Sequence, residues 1–132
     1  MPEIANINHI GITVTDLERS TSWYTDVLGL APLMEEQHPD GQGNAVVLGK
    51  PDFSMCVGLH AHDGNRRERF SEESTGLDHI SFLVPNRAEL AEWESRLVEL
   101  GVEHSPINDR GAYSALVFRD PDNIQLEFFS FS

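Results

Sequence analysis

The sequence repeats itself at an offset of seventy residues. Asn8-His9-Ile10 falls on Asp78-His79-Ile80, Val14 on Val84, Trp23 on Trp93 and Leu30 on Leu100. Ala45 then falls on Ala115, Val47 on Val117 and Pro51-Asp52 on Pro121-Asp122. An offset kept through a histidine, a tryptophan and a Pro-Asp turn marks two copies of one structural unit, and it constrains the fold before any propensity does. Each copy is near the lower size limit for an independent core. The 132 residues are therefore expected to form one domain, with a first module at about 5–60, a linker at 61–75 and a second module at about 76–131.

Within each copy the hydrophobic period changes in the same order. Residues 7–14 are apolar and β-branched, as a short strand requires. Thr15 and Asp16 are helix-capping types, and Leu17, Trp23, Tyr24, Val27 and Leu28 follow at helical spacing up to Gly29. Strands are expected near 31–37, 44–49 and 53–60, divided by the turn-rich HPDGQGN and GKPD. The second copy runs alike. A strand at 76–84 leads to Asn86 and Glu89, a cap and its third helical residue. The stripe Leu90, Trp93, Leu97, Leu100 ends at Gly101. Strands follow near 102–107, 113–119 and 123–130. The unit is β-α-β-β-β, made twice. The intervening 61–75 is polar and aperiodic, and Arg66, Arg67 and Arg69 form the chain's one basic cluster. A solvated linker is its plain reading, a contact to an anionic substrate the minor one.

Charge and cysteine use narrow the partners. Nine Lys and Arg stand against 22 Asp and Glu, a formal net charge of −13, which disfavours nucleic acid and anionic membrane surfaces. The one cysteine, Cys56, allows neither an intrachain disulfide nor a cysteine-based zinc cluster, as in a reducing cytoplasm. No apolar run approaches the ~18 residues of a membrane span, and the N-terminus has no secretory pattern. A soluble cytoplasmic protein is expected.

The repeat also carries chemistry. Strand side chains alternate faces, so His9 lies with Gly11 and Thr13, and His79 with Ser81 and Leu83. The opposing faces, Ile10, Ile12, Val14 and Ile80, Phe82, Val84, are uniformly apolar and belong under the helices, against Trp23 and Trp93. In the last strand Glu127 interrupts an aromatic and aliphatic run. A buried carboxylate there needs a cation or an ion-pair partner. Singly, each residue reads best as a hydrogen-bonded histidine or an edge glutamate. Two histidines at one equivalent strand position raise the metal reading above that. His9, His79 and Glu127 would form a two-histidine, one-carboxylate set for a divalent first-row metal, with coordination positions left open.

HIGITVTDLERSTSWYTDVLGL, LDHISFLV and VFRDPDNIQLEFF together resemble the hallmark segments of the vicinal oxygen chelate superfamily, which includes glyoxalase I, extradiol dioxygenases, fosfomycin-modifying enzymes and bleomycin-resistance proteins. The resemblance implies an α+β fold of two tandem βαβββ modules, whose curved mixed sheets enclose a metal-binding cavity. It carries the ligand roles over to His9, His79 and Glu127. The seventy-residue offset sets Val57 opposite Glu127, so the fourth ligand of glyoxalase-like members is missing and the three-ligand set resembles that of extradiol dioxygenases. Such enzymes add a tyrosine and a second histidine. Tyr113 is the nearest tyrosine, and His60 or His62 could supply the histidine, although alternation aims His60 away from Val57's face. By the same alternation Met55, Val57, Leu59, Leu83 and Phe129 would line the cavity and favour an apolar or aromatic substrate.

The expected activity is thus a metal-dependent, dioxygenase-like reaction on a small molecule with vicinal oxygens. Fe(II) is favoured over Mn, Zn, Ni or Co. A glyoxalase-like isomerase or lyase and a ligand-sequestering protein are the alternatives. A two-fold homodimer is the expected assembly.

Overall fold

The computed structural model describes residues 1–132, and its contacts divide the chain into two compact units, residues 1–68 and 69–132. In the first unit β1 (Ile10–Thr13), α1 (Leu17–Leu28), β2 (Ala31–Gln37), β3 (Gly43–Gly49) and β4 (Cys56–His62) follow the expected order. The sheet runs β1-β4-β3-β2, with β1 parallel to β4 and the other pairs antiparallel. Asp16 caps α1, its carboxylate accepting from the Arg19 N–H at 3.0 Å. Gly29, at φ 71°, ends the helix in the left-handed conformation that glycine adopts without strain.

The buried stripe of α1 is Ser20, Tyr24, Val27 and Leu28. It packs on β3 and β4, whose Val46, Leu48, Val57 and Leu59 are buried along with Ile12 of β1. Tyr24, fully buried, takes the place expected for Trp23. The tryptophan is only half-buried and meets Tyr24 edge to face at 4.9 Å.

The second unit holds β5 (Ile80–Leu83), α2 (Arg87–Glu99), β6 (Asn108–Asp109), β7 (Tyr113–Arg119) and β8 (Gln125–Phe131), in the sheet order β5-β8-β7-β6. Asn86 caps α2 by accepting from the Glu89 N–H at 2.9 Å. Leu90 and Leu97 are fully buried, and Trp93 stacks on Phe128 at 4.4 Å. The strand expected at 102–107 is reduced to an isolated bridge, His104 with Phe118. Pro106 has no N–H for a ladder. Ser105 meets Val117 irregularly, donating its N–H to the Val117 carbonyl at 2.7 Å while its hydroxyl accepts from the Val117 N–H at 3.0 Å.

The two units differ by one residue where it matters. Residues 50–55 join β3 to β4, whereas the shorter 120–124 joins β7 to β8. The seventy-residue equivalence therefore slips by one on entering β4, and every side chain beyond the slip changes face.

The segment expected as a free linker is pinned at several points. β4 continues through His62. Arg67 donates to the Thr15 carbonyl at 2.9 Å and Arg69 to Asn123 Oδ1 at 2.9 Å. Glu72 takes a two-pronged pair from Arg119, at 2.9 and 3.0 Å. These bonds hold the Glu72 carboxyl down at about 2, against 4.5 for a free one. A depressed carboxyl stabilises its bound form fully above the free value and loses that contribution as pH falls towards the bound one. Protection of the Phe70 amide, which donates to Asp122 O at 3.0 Å, should therefore decline between about pH 4.5 and 2 once intrinsic exchange is corrected for. Glu72→Gln should show the reduced protection already at neutral pH. Equal protection in both proteins at pH 7 would remove Glu72 as the tether.

Candidate active site

Strand pairing sets the two faces of each sheet. In the first unit Gly11 pairs with Gly58 and Thr13 with His60. Val47 and Ala45 pair with Gly58 and His60 from β3, and Met34 and Glu36 extend the row from β2. These residues look away from α1. A cavity of about 240 Å³ lies on this face, lined by His9, Met34, Val47, Phe53 and His60 among others. In the second unit Ser81 pairs with Glu127 and Val117 with Glu127. Tyr113, Val117 and Glu127 line a cavity of about 430 Å³ together with Ser105 and Pro106.

His9 and His79 each stand immediately before the first strand of a unit, and both are exposed. Their rings are held in the same way. His9 Nδ1 lies 2.6 Å from Asn8 Oδ1, and His79 Nδ1 lies 2.6 Å from Asp78 Oδ1. Both partners are acceptors, so Nδ1 carries the hydrogen in each ring and the Nε2 lone pair is left free. Supporting partners of this kind orient metal-ligating imidazoles. Glu127 is half-buried and accepts from the Ser81 hydroxyl at 2.7 Å through Oε1, which leaves its other oxygen available.

The remaining expected residues divide by the one-residue slip. Val57 and Leu59 pair with Ile10 and Ile12 and are buried beneath α1, so they do not line the cavity. Met55 precedes β4 and is half-buried, its carbonyl accepting from Lys50 N–H at 3.0 Å. Leu83 and Phe129 pair on the Glu127 side of the second sheet, Leu83 exposed at 67%. Tyr113 stacks on Phe129 at 4.9 Å, with planes only 15° apart.

His60 gains the inward position that alternation from Val57 denied it. Gly58 occupies the register place of Glu127, and Gly11 that of Ser81. The His60 ring fills the resulting space. A Cβ on Gly58 would come within 3.1 Å of His60 Nε2, and one on Gly11 within 3.3 Å. The other nitrogen, Nδ1, shares a hydrogen bond with His38 Nε2 at 3.0 Å. Burial, and then the charges of His38 and His62, hold the His60 imidazole below its usual value, with Glu36 opposing them.

His38 escaped the sequence reading because HPDGQGN reads as turn. Its signal was the neighbouring pair His60 and His62, which strand alternation places on one face. Together the three rings form a cluster in which one nitrogen of each lies within 4.8 Å of the others.

The family model described as the Glyoxalase/Bleomycin resistance protein/Dioxygenase superfamily matches residues 6–128. The catechol-2,3-dioxygenase of Bacillus subtilis (strain 168) is 31% identical over 98% of this chain and 44% of its own length. The chain spans less than half of that relative. The trivalent organoarsenical cleaving enzyme of Bacillus sp. (strain MD1) is 27% identical over 92% of this chain and 70% of its own. Among solved structures, a glyoxylase/bleomycin resistance protein/dioxygenase domain from Frankia sp. EAN1pec aligns with a TM-score of 0.88 at 31% identity, covering 98% of this chain and 94% of that one. The βαβββ architecture expected of the two halves is the fold found. No helix is long and apolar enough to cross a membrane.

Proposed function

We propose that this chain, which belongs to the glyoxalase/bleomycin resistance protein/dioxygenase superfamily, is a divalent-metal dioxygenase acting on a small aromatic substrate with vicinal oxygens. The observation that carries the reading is the matched anchoring of His9 and His79 at 2.6 Å through Nδ1. Two imidazoles with oriented, free Nε2 lone pairs and a carboxylate without a basic partner suit a first-row metal. The ligand set takes His9 and His79 from the starts of the two repeats and Glu127 from the last strand of the second. A bound metal would supply Lewis-acid capture of the vicinal oxygens and, as Fe(II), the reactivity towards dioxygen.

The chain's own residues supply the rest. Met34, Val47 and Phe53 present an apolar wall to a ring beside His9. His60, facing the same cavity, presents Nε2 to a substrate oxygen and orients it. Tyr113, in the cavity with Glu127, offers a hydroxyl for orienting substrate. The likeness to a catechol-2,3-dioxygenase at 31% identity supports an aromatic diol as the substrate class.

Protein reconstituted anaerobically with Fe(II) and mixed with catechol and 3-substituted catechols should consume one dioxygen per substrate. Both oxygen atoms should enter a ring-opened product. Iron-loaded protein that consumes no oxygen with any of these diols would overturn the oxygenase reading. Metal-dependent conversion without oxygen uptake would place the chain with the isomerases and lyases.

A further inference from the structure

We propose that His38, His60 and His62 form a second divalent-metal site, wholly within the first unit and separate from the ligand set of the proposed reaction. The placement follows from the hairpins. His60 and His62 alternate along β4 onto one face, where β3 pairs Ala45 with His60 and Gly43 with His62. His38 follows the end of β2, its N–H donating to the Gly43 carbonyl at 2.9 Å. Its ring stands 4.5 Å from that of His62, centre to centre, and 5.2 Å from that of His60.

The spacing suits an ion. Two nitrogens bound at about 2.0–2.1 Å in a tetrahedral arrangement stand about 3.3 Å apart. The His38 and His60 nitrogens are 3.0 Å apart, and one nitrogen from each of the three rings falls within 4.8 Å of the other two. Ion binding would draw the three nitrogens in from that range. Room for the rings is provided by missing side chains. A Cβ at Gly43 would lie 2.6 Å from His38 Nδ1, and one at Gly58 3.1 Å from His60 Nε2. A His38–His60 hydrogen bond needs only two rings, so the third imidazole is unexplained by that pair. Three imidazoles with a fourth position open to water form a donor set suited to Zn(II). An ion there would tie the turn between β2 and β3 to β4, and would hold the ring that faces the His9 cavity.

Zinc counting separates this site from the catalytic set. Chelator-stripped full chain is titrated with zinc chloride by calorimetry, and zinc per chain is measured after desalting. The unaltered protein should bind two equivalents. His38→Gln/His62→Gln should bind one, and His9→Gln/Glu127→Gln should keep one. In that second variant zinc should move the ring-nitrogen resonances of His38, His60 and His62. Undiminished zinc in the His38→Gln/His62→Gln protein would overturn the proposal, as would loss of all zinc from the His9→Gln/Glu127→Gln protein. If zinc falls only with the His38→Gln/His62→Gln change, this site stands and the catalytic ligand set fails instead. His62 is exposed, so His62→Gln alone tests the site in a folded chain. It should weaken zinc there by more than the about 10- to 100-fold that loss of a supporting partner costs.

Discussion

Glu127→Gln should leave the chain folded and remove its metal-dependent turnover, with metal affinity at the proposed catalytic set reduced by more than about 100-fold. Glutamine keeps the shape of the side chain and retains a carbonyl oxygen that can accept from the Ser81 hydroxyl, now 2.7 Å from Oε1. What it loses is the negative charge of the one anionic ligand in the proposed His9, His79 and Glu127 set. Far-UV circular dichroism and the urea midpoint should match the unaltered protein, while Fe(II) per chain and oxygen uptake fall together. Unchanged iron stoichiometry would exclude Glu127 as a ligand. The same residue reports on assembly, since a homodimer that shares its sites can be complemented. Mixed His9→Ala and Glu127→Ala chains would then regain one intact site per pair, whereas ligand sets confined to single chains would regain none.

The repeat made the architecture legible, and a single residue limited how far the site could be read from it. Offset pairs from Asn8 to Val47 hold in the structure because β1 and β5, the starts of α1 and α2, and β3 and β7 all stand seventy residues apart. The longer β3–β4 connection then shifts the register. Val57 becomes the partner of Ile10, as Leu126 is of Ile80, and Gly58 takes the place of Glu127. A period-two element turns one residue of slip into a change of face, which removed Val57 and Leu59 from the cavity and admitted His60. Turn chemistry masked His38 for a different reason: its partners lie 22 and 24 residues away and meet it only through the β3–β4 hairpin. Size also misled in the helix. Trp23 matches Trp93 in the repeat and both are only half-buried, while the neighbouring Tyr24 is the fully buried aromatic of α1.

Those degrees of burial predict an order of stabilities. Phe118→Ala should cost about 3–5 kcal/mol, the range for removing a core aromatic, because Phe118 is 1% exposed and stacks on Phe128 at 4.6 Å. Against a typical total of about 5–15 kcal/mol, this single change should remove much of the second unit's stability. Trp93→Ala should cost less. The indole covers the far side of Phe128 at 4.4 Å but is itself only half-buried, so its loss opens a surface notch that water can fill. Trp23→Ala should cost least, about 1 kcal/mol, since it is only half-buried and lies outside the buried stripe of α1 and substitutions that leave the core intact have small effects. Urea unfolding of the three variants under one set of conditions gives the ranking. If Trp23→Ala proved as costly as Phe118→Ala, the buried face of α1 would have to carry Trp23 rather than Ser20, Tyr24 and Val27. The sheet face beneath that helix would then need reassignment as well, and with it the placing of His9 and His60 on the opposite side.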